Sequence, residues 1–152
     1  MILSTLCYLI KSDSYLMMHR IKKQDDVNSG KWIGVGGKLK PGESPEECVI
    51  REVLEETGFT MGKYRLRGII TFSSEGWEDE IIFLYTSDDF RGTLIECDEG
   101  ELKWIPISDV PSLRLWDGDR IFLELLEEDR GFFSLKLSYK GDELVDQRLV
   151  CY

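Results

Sequence analysis

The sequence contains one histidine, His19, and four cysteines that show neither a CxxC pair nor the spacing of a zinc site. Without Cys/His clusters, a structural or catalytic zinc centre is not expected. The unpaired spacing of Cys7, Cys48, Cys97 and Cys151 is typical of reduced thiols, which predominate in the cytosol. We therefore expect a cytoplasmic protein.

Long apolar runs, repeats and low-complexity segments are also missing. No apolar run approaches the ~18 residues of a membrane span. The apolar stretch Met1–Ile10 lacks the basic leader and the small-residue cleavage site of a signal peptide. The 152 residues match the length of one domain, and no Pro- or Ser-rich linker divides them. We expect one domain over residues 1–152 and no membrane partner.

Basic residues are outnumbered, with 19 Lys and Arg against 29 Asp and Glu, so the net charge is −10. Because a protein that coats nucleic acid should be basic, nucleic-acid binding is not expected. The charge is uneven: residues 1–41 carry seven Lys/Arg and three Asp, a net +4, which leaves −14 for residues 42–152. An acidic zone beside a basic one suits a metal ion together with an anionic ligand.

Apolar periodicity predicts strands around two helices. The predicted strands are Ile2–Ile10, Tyr15–Arg20, Lys31–Val35, Tyr64–Ser74, Glu78–Thr86, Glu101–Ile105, Phe132–Tyr139 and Glu143–Val150, with a polar loop at Lys22–Gly30. The first helix begins at a capping box that opens with Ser44 and ends at Gly58. The second spans Gly118–Glu128, with Asp117 as its N-cap. This order predicts an α+β fold with a mixed sheet and helices on its faces.

The first predicted helix has an apolar arc and a carboxylate patch on opposite sides. The arc consists of Val49, Ile50, Val53 and Leu54. The patch consists of Glu52, Glu55 and Glu56. Like charges three and four residues apart repel each other, and the helix dipole disfavours them near the C-terminal end. A solvated acidic face is the ordinary interpretation, whereas a hard divalent cation such as Mg²⁺ would relieve the repulsion.

The longer pattern around this helix favours the cation. The stretch Gly36–Phe59 reads GGKLKPGESPEECVIREVLEETGF. It resembles the Nudix box: Gly, five residues, Glu, seven residues, then Arg-Glu-aliphatic-x-Glu-Glu-x-Gly-aliphatic. Every fixed position of the box at residues 37–59 matches, and Phe59 at the final aliphatic position is the one departure. Such a match arises by chance in about one chain of this length in a million, at ordinary residue frequencies.

The resemblance extends over the chain to the MutT-type 8-oxo-dGTP diphosphatases of Gram-positive bacteria. The lead-in Lys31–Lys38 and the segment Trp116–Asp119 carry it outside the box. The resemblance implies an α/β/α sandwich around a mixed sheet with two main helices. It implies Mg²⁺-dependent hydrolysis, with Mn²⁺ as an alternative ion, of oxidised purine nucleoside triphosphates to the monophosphate and pyrophosphate, which cleanses the nucleotide pool and so serves DNA repair. One position differs, because Ile33 stands where the mammalian enzymes of this type have an asparagine.

The same resemblance implies a metal site on the acidic helix. Glu52, Glu55 and Glu56 are the implied Mg²⁺ ligands, with the carbonyl of Gly36 as a further ligand. Arg51 is implied to orient these glutamates; the alternative is a plain surface ion pair.

Two acidic residues outside the helix are further candidates. Glu99 matches an acidic loop position that assists the metal or the attacking water, although other acidic residues of that loop compete for the role. Glu43 belongs to the box and is either the catalytic base or a structural partner of its own loop. The general base stays open among Glu52, Glu43 and Glu99, since only geometry can place one of them beside the attacking water.

Four residues are candidates for binding the substrate. Arg20 and Lys38 are implied as phosphate ligands, with solvated surface charge as the alternative. Trp116 is interpreted either as a stacking face for the base or as a core residue. Asp119 is interpreted as an acceptor for the ring N–H and amino group of guanine.

Two other functions compete with this interpretation. The same chemistry acts in other Nudix enzymes on ADP-ribose, dinucleoside polyphosphates or capped RNA ends. A non-catalytic Nudix domain could instead serve as a nucleotide sensor, but such domains typically lose box glutamates, and all of them are present here. The sequence leaves the oligomeric state open.

Overall fold

The computed structural model describes residues 1–22 and 26–152; residues 23–25 of the predicted polar loop lie outside the described residues. The strands are β1 (Ile2–Lys11), β2 (Ser14–His19), β3 (Trp32–Ile33), β4 (Phe59–Met61), β5 (Arg65–Ser74), β6 (Glu80–Ser87), β7 (Phe90–Gly92), β8 (Glu101–Pro106), β9 (Phe133–Lys140) and β10 (Glu143–Cys151). The helices are α1 (Pro45–Thr57), α2 (Asp117–Glu128) and a 3₁₀-helix at Ile107–Ser112.

All the predicted strands and both predicted helices are present, with ends shifted by a few residues. The strands β4 and β7 were not predicted, since three residues are too few to show a period. These two strands pair with each other in a small antiparallel sheet. The 3₁₀-helix was not predicted either.

The main sheet is mixed, as predicted. Its strands follow the order β10-β9-β5-β6-β1-β2-β3, and β8 pairs with β2. The pairs β1–β6 and β5–β9 are parallel, whereas the other pairs in this sheet are antiparallel.

Two hydrophobic cores lie on opposite faces of this sheet. On β1, Cys7 and Leu9 pack in the core that contains Val49 and Val53 of α1. Tyr8, which points to the other face, packs in the core that contains Phe122 of α2. The predicted α/β/α sandwich of the Nudix fold is therefore confirmed.

The predicted start of α1 is confirmed, but that of α2 is not. Ser44 caps α1, and its Oγ accepts from the N–H of Glu47 at 3.1 Å. In α2 the N-cap is Trp116, and the predicted cap Asp117 is already helical. The N–H of Gly118 donates to the hydroxyl of Tyr139 at 2.7 Å, so a distant tyrosine supplies the acceptor that Asp117 was expected to provide.

The helical arc of α1 differs from the prediction at two positions. Leu54, expected in the apolar arc, is 47% exposed. Glu56, expected on the opposite patch, is only 6% exposed. The reason is a buried donor, because the N–H of Gly36 binds the Glu56 carboxylate at 2.8 Å and draws this edge of the helix against the sheet.

All four cysteines are free, with three buried and Cys151 exposed, as predicted for reduced thiols. Among the described residues, none of the helices combines the length and apolar character that a membrane crossing requires.

Candidate active site

A cleft of about 790 Å³ is lined by residues from both helices and from the loops between β2, β3 and α1. One part of its wall is polar and contains Gly36, Glu52, Glu56, Glu99 and Arg20. Another part is apolar and contains Ile70, Phe72, Ile82, Trp116, Phe122 and Leu137. The volume lies in the range of cofactor and drug-sized ligand sites.

Arg51 ties the acidic residues of the Gly36–Phe59 segment together. Its Nε and Nη2 atoms donate to the two carboxylate oxygens of Glu43 at 2.5 and 2.8 Å. Its Nη1 donates to Glu52 at 2.7 Å and to Glu55 at 3.2 Å, and Nη2 also reaches the carbonyl of Lys38 at 3.2 Å. The guanidinium is therefore positioned to orient the glutamates rather than to form a plain surface pair.

The pairing with Arg51 also separates Glu43 from the other base candidates. Hydrogen bonds from Arg51, and a further one from the N–H of Lys40 at 2.8 Å, lower the pKa of Glu43 to about 2. A carboxylate with so low a pKa is a weak proton acceptor near neutral pH. This geometry favours a structural role for Glu43.

Glu56 lies at the centre of the polar wall. Burial raises the pKa of its carboxyl group well above the usual range, against the opposing effect of the Gly36 N–H. The neighbouring carboxylates of Glu99, which is within hydrogen-bonding reach, and Glu52 raise it further. Without a cation, burial and the neighbouring carboxylates therefore favour the protonated form of Glu56.

These residues form an oxygen-only donor set, which suits Mg²⁺ or Mn²⁺. Glu52, Glu56, Glu99 and Gly36 line the cleft, whereas the side chain of Glu55 is 55% exposed and is not among the described residues of its wall. In the described part of the chain, no three His, Cys, Asp or Glu side chains already converge as a metal cage. Arg51 binds one carboxylate oxygen of Glu52 at 2.7 Å, which leaves the other oxygen available to a cation.

Two adjacent glycines allow the loop before α1 to approach this site. Gly36 has φ +153°, and a Cβ there would lie 2.0 Å from the carbonyl oxygen of Thr5. At Gly37 a Cβ would lie 2.5 Å from the carboxylate carbon of Glu52. Backbone therefore excludes a side chain at Gly36, and the predicted ligand Glu52 excludes one at Gly37.

We expect Gly37→Ala to reduce activity with little loss of stability. The added methyl group displaces only the end of the Glu52 side chain, and misplacing a reactive group by about 1 Å can lower the rate by about 10-fold to 100-fold. Gly36→Ala is the matched comparison, and it should lower the melting temperature because its clash is with backbone. Full kcat in Gly37→Ala would contradict a role for the Glu52 position.

Arg20 lies in the cleft wall but is already engaged by two carboxylates. Its Nε contacts Asp26 at 2.6 Å, and its Nη1 contacts Glu99 at 3.0 Å. Arg20 thereby links the Glu99 loop to the end of β2. Lys38 is exposed at the edge of the cleft.

Trp116 is a core residue that also forms part of the apolar wall. Its ring packs edge-on against Phe72 and Tyr139, and its Nε1 donates to the side chain of Asn28 at 2.7 Å. The Nζ atom of Lys31 lies 4.2 Å from the centre of the ring. These contacts hold the indole ring in place. Only the part of the ring that lines the cleft is therefore available to contact a ligand.

Asp119 lies on the first turn of α2 and faces the cleft. Burial raises the pKa of Asp119 to about 8, although the nearby charges of Lys31 and Arg120 oppose the shift. Asp117, two residues earlier on the same helix, is exposed.

The raised pKa of Asp119 predicts a pH-dependent stability. Between pH 4 and 8 the folded protein retains a proton that the unfolded chain releases, so its stability falls as pH rises, by at most about 1.4 kcal/mol per pH unit. Asp119→Asn lacks this equilibrium, and its stability advantage should widen from pH 5 to pH 8. Urea unfolding of both proteins across this range measures the difference, and a constant difference would contradict the burial of this carboxyl group.

Sequence reasoning missed several residues of the cleft. Asp26 and Asn28 hold Arg20 and Trp116, yet within a polar loop they look like ordinary turn residues. Glu80, which lines the cleft and accepts from Ser4 at 2.6 Å, comes from a strand far along the chain. Phe72 lies in the apolar run that predicts β5. That run indicates a strand, but it does not indicate that the Phe72 side chain lines a cleft.

The comparisons with known proteins agree with this architecture. The family model described as the NUDIX domain matches residues 2–126. The sequence is 29% identical over 151 residues to the uncharacterized Nudix hydrolase YvcI of Bacillus subtilis (strain 168), covering 95% of this chain and 92% of that protein. It is 30% identical over 129 residues to the oxidized purine nucleoside triphosphate hydrolase of Danio rerio, covering 84% and 82%. The crystal structure of the MutT protein from Bacillus halodurans superposes with a TM-score of 0.88 at 27% identity, covering 98% of this chain and 97% of that one.

Proposed function

The chain belongs to the Nudix family, and we propose that residues 1–152 act as one Mg²⁺-dependent hydrolase of oxidised purine nucleoside triphosphates. The products would be the nucleoside monophosphate and pyrophosphate. The similarity to the oxidized purine nucleoside triphosphate hydrolase of Danio rerio supports this substrate class.

The observation that carries the proposal is the composition of the cleft. A wall of carboxylates and a wall of aromatic and aliphatic side chains face the same cavity, which holds about 790 Å³. The carboxylate wall suits metal ions and the phosphates that they bind. The aromatic and aliphatic wall suits a purine base. A nucleotide contains both parts in one molecule.

Nudix hydrolases use divalent ions such as Mg²⁺, and four groups of the polar wall would hold one in this chain. These are the carboxylates of Glu52, Glu56 and Glu99 and the carbonyl of Gly36. A bound ion offsets phosphate charge and lowers the pKa of coordinated water. Glu55, which is more exposed, would contribute from the outer side of the site.

The remaining roles follow from the contacts of each side chain. Arg51 positions Glu52 through a 2.7 Å hydrogen bond, and Glu43 fixes Arg51 through two more. With Glu43 occupied in this way, the general base is Glu52 or Glu99. Arg20, held between Asp26 and Glu99 in the polar wall, would be the cation of the cleft that lies nearest to phosphates bound beside Glu99.

Four contacts would place the nucleotide. Lys38 at the cleft edge is available to the outer phosphates, and Trp116 forms a rigid face for the base. Ile33 lines the same cleft, so its strand offers an apolar surface where an asparagine would read the base directly. Asp119 is then the polar group of the apolar wall that is best placed to select a purine.

A substrate panel tests the proposal. Values of kcat/KM for 8-oxo-dGTP, its ribose form, oxidised ATP forms, dGTP, dCTP, ADP-ribose and a dinucleoside polyphosphate are compared with Mg²⁺ and with a chelator. The oxidised purine triphosphates should give the highest values, and turnover should require the ion. Preference for ADP-ribose or a dinucleotide would move the chain to another Nudix branch, and no turnover at all would favour a nucleotide sensor.

The site of water attack gives a separate prediction. By similarity to MutT-type enzymes, we expect attack at the β-phosphorus. Hydrolysis in ¹⁸O-water should then label pyrophosphate and leave the monophosphate unlabelled, as mass spectrometry of the products can determine. Label in the monophosphate would contradict this expectation.

A further inference from the structure

The C-terminal strand β10 forms an open edge of the main sheet. It pairs with β9 on one side, and the strand order of the described residues ends there. Nearly all of its side chains are exposed, including Val145, Leu149 and Val150. An exposed edge strand presents unpaired N–H and C=O groups, which can pair with another strand.

The sequence of β10 is close to a palindrome. Residues 144–150 read Leu-Val-Asp-Gln-Arg-Leu-Val, and Gln147 is the centre. When two such strands run antiparallel about Gln147, Asp146 of one lies opposite Arg148 of the other. Val145 of one copy then also lies opposite Leu149 of the other, and both side chains are exposed.

The geometry of the strand permits this alignment. The irregularity in its pairing with β9 falls between Leu144 and Asp146, so the three central residues of the alignment, Asp146, Gln147 and Arg148, lie in the regular part of the strand. Asp146 and Arg148 lie on the same face of the strand, with side chains 58% and 79% exposed. The distance from Nε of Arg148 to Oδ2 of Asp146 is 3.6 Å. Both charges are therefore available to a neighbouring strand.

We infer that β10 is an interface between two copies of this chain, which pair through their β10 strands in antiparallel register about Gln147. Each Arg148 faces Asp146 of the other copy, and the two main sheets join into one. A two-fold interface requires such self-complementarity, since each contact must occur twice. Opposite charges directly across an antiparallel pair stabilise it, whereas like charges destabilise it.

Charge reversal at Asp146 and Arg148 tests the inference directly. Sedimentation velocity should show a concentration-dependent dimer for the natural sequence. Asp146→Arg leaves two arginines on the strand, and Arg148→Asp leaves two aspartates, so each variant alone should be monomeric. An equimolar mixture of the two should form a heterodimer, and the double variant D146R/R148D should again form a homodimer.

Asp109→Arg is the matched control, because it makes the same charge change at an exposed residue of the 3₁₀-helix. It should dimerise like the natural sequence. A natural chain that stays monomeric at every concentration would overturn the inference. Dimers that persist in both single variants would also overturn it, since they would involve another surface.

A disulfide between the two copies would show which residues of their β10 strands face each other. In a Cys151→Ser background, Gln147→Cys places the new thiol opposite its own copy, at a Cα separation of about 4.5–5.5 Å that permits a disulfide. Mild oxidation should give a covalent dimer. Lys136→Cys in the same background, on β9, should stay monomeric, and equal cross-linking of both variants would contradict the register.

Discussion

Replacing Glu56 by Gln is expected to lower kcat with Mg²⁺ by about 100-fold or more, the loss typical of a removed metal-site group. Glutamine has the shape of the Glu56 side chain, and it retains an oxygen for the N–H of Gly36. What it cannot provide is the negative charge that a divalent ion requires. Steady-state kinetics over a range of Mg²⁺ concentrations measure the effect.

The same variant has a second readout, which does not depend on turnover. In chelator the melting temperature of Glu56→Gln should equal or exceed that of the natural chain, because burial and the neighbouring carboxylates disfavour the charged form of Glu56, which a neutral amide cannot adopt. Addition of Mg²⁺ should raise the melting temperature of the natural chain but not of the variant. Glu47→Gln, at an exposed position of α1, is the control and should retain both responses. A fully active Glu56→Gln would exclude Glu56 as a ligand.

Asp119→Ala is expected to lower kcat/KM for 8-oxo-dGTP by about 5-fold to 150-fold, the equivalent of about 1–3 kcal/mol for base donors left unpaired in a desolvated pocket. Oxidised guanine gains an N7–H donor and an oxygen at C8, whereas its N1–H and amino group are those of guanine. Asp119 would accept from these shared groups. The ratio of kcat/KM for 8-oxo-dGTP to that for dGTP should therefore change less than either value.

Two controls accompany this measurement. Pyrimidine triphosphates lack the purine edge and should be affected little by Asp119→Ala. Asp117→Ala removes an exposed aspartate two residues earlier on α2 and should leave kcat/KM unchanged. If a folded Asp119→Ala hydrolysed 8-oxo-dGTP normally, Asp119 would have no part in recognising the base.

Sequence reasoning was most successful where the signal is local. The capping of α1 by Ser44 could be predicted, since cap and partner lie three residues apart. The prediction for α2 was wrong at Asp117, because the acceptor for its first turn belongs to Tyr139, 21 residues beyond Gly118. Contacts of that kind depend on the packing of the sheet, which no short window contains.

The acidic helix shows the same limit. The helical period gives the angle between Leu54 and Glu56 around the axis of α1. It does not determine which side of the helix packs against the sheet. That choice depends on the Gly36 N–H, 20 residues away, and it buries Glu56 instead of Leu54. The family resemblance could identify Glu56 as a ligand, whereas the closeness of Glu99 that raises its pKa required the folded chain.

Strand β1 has a consequence for how the molecule unfolds. Because Cys7 and Leu9 belong to one core and Tyr8 to the other, loss of β1 from the sheet would disrupt both cores at once. We therefore expect the two cores to unfold in one cooperative transition. Slow amide exchange should be concentrated in β1 and β6, whose eight paired positions form the centre of the sheet.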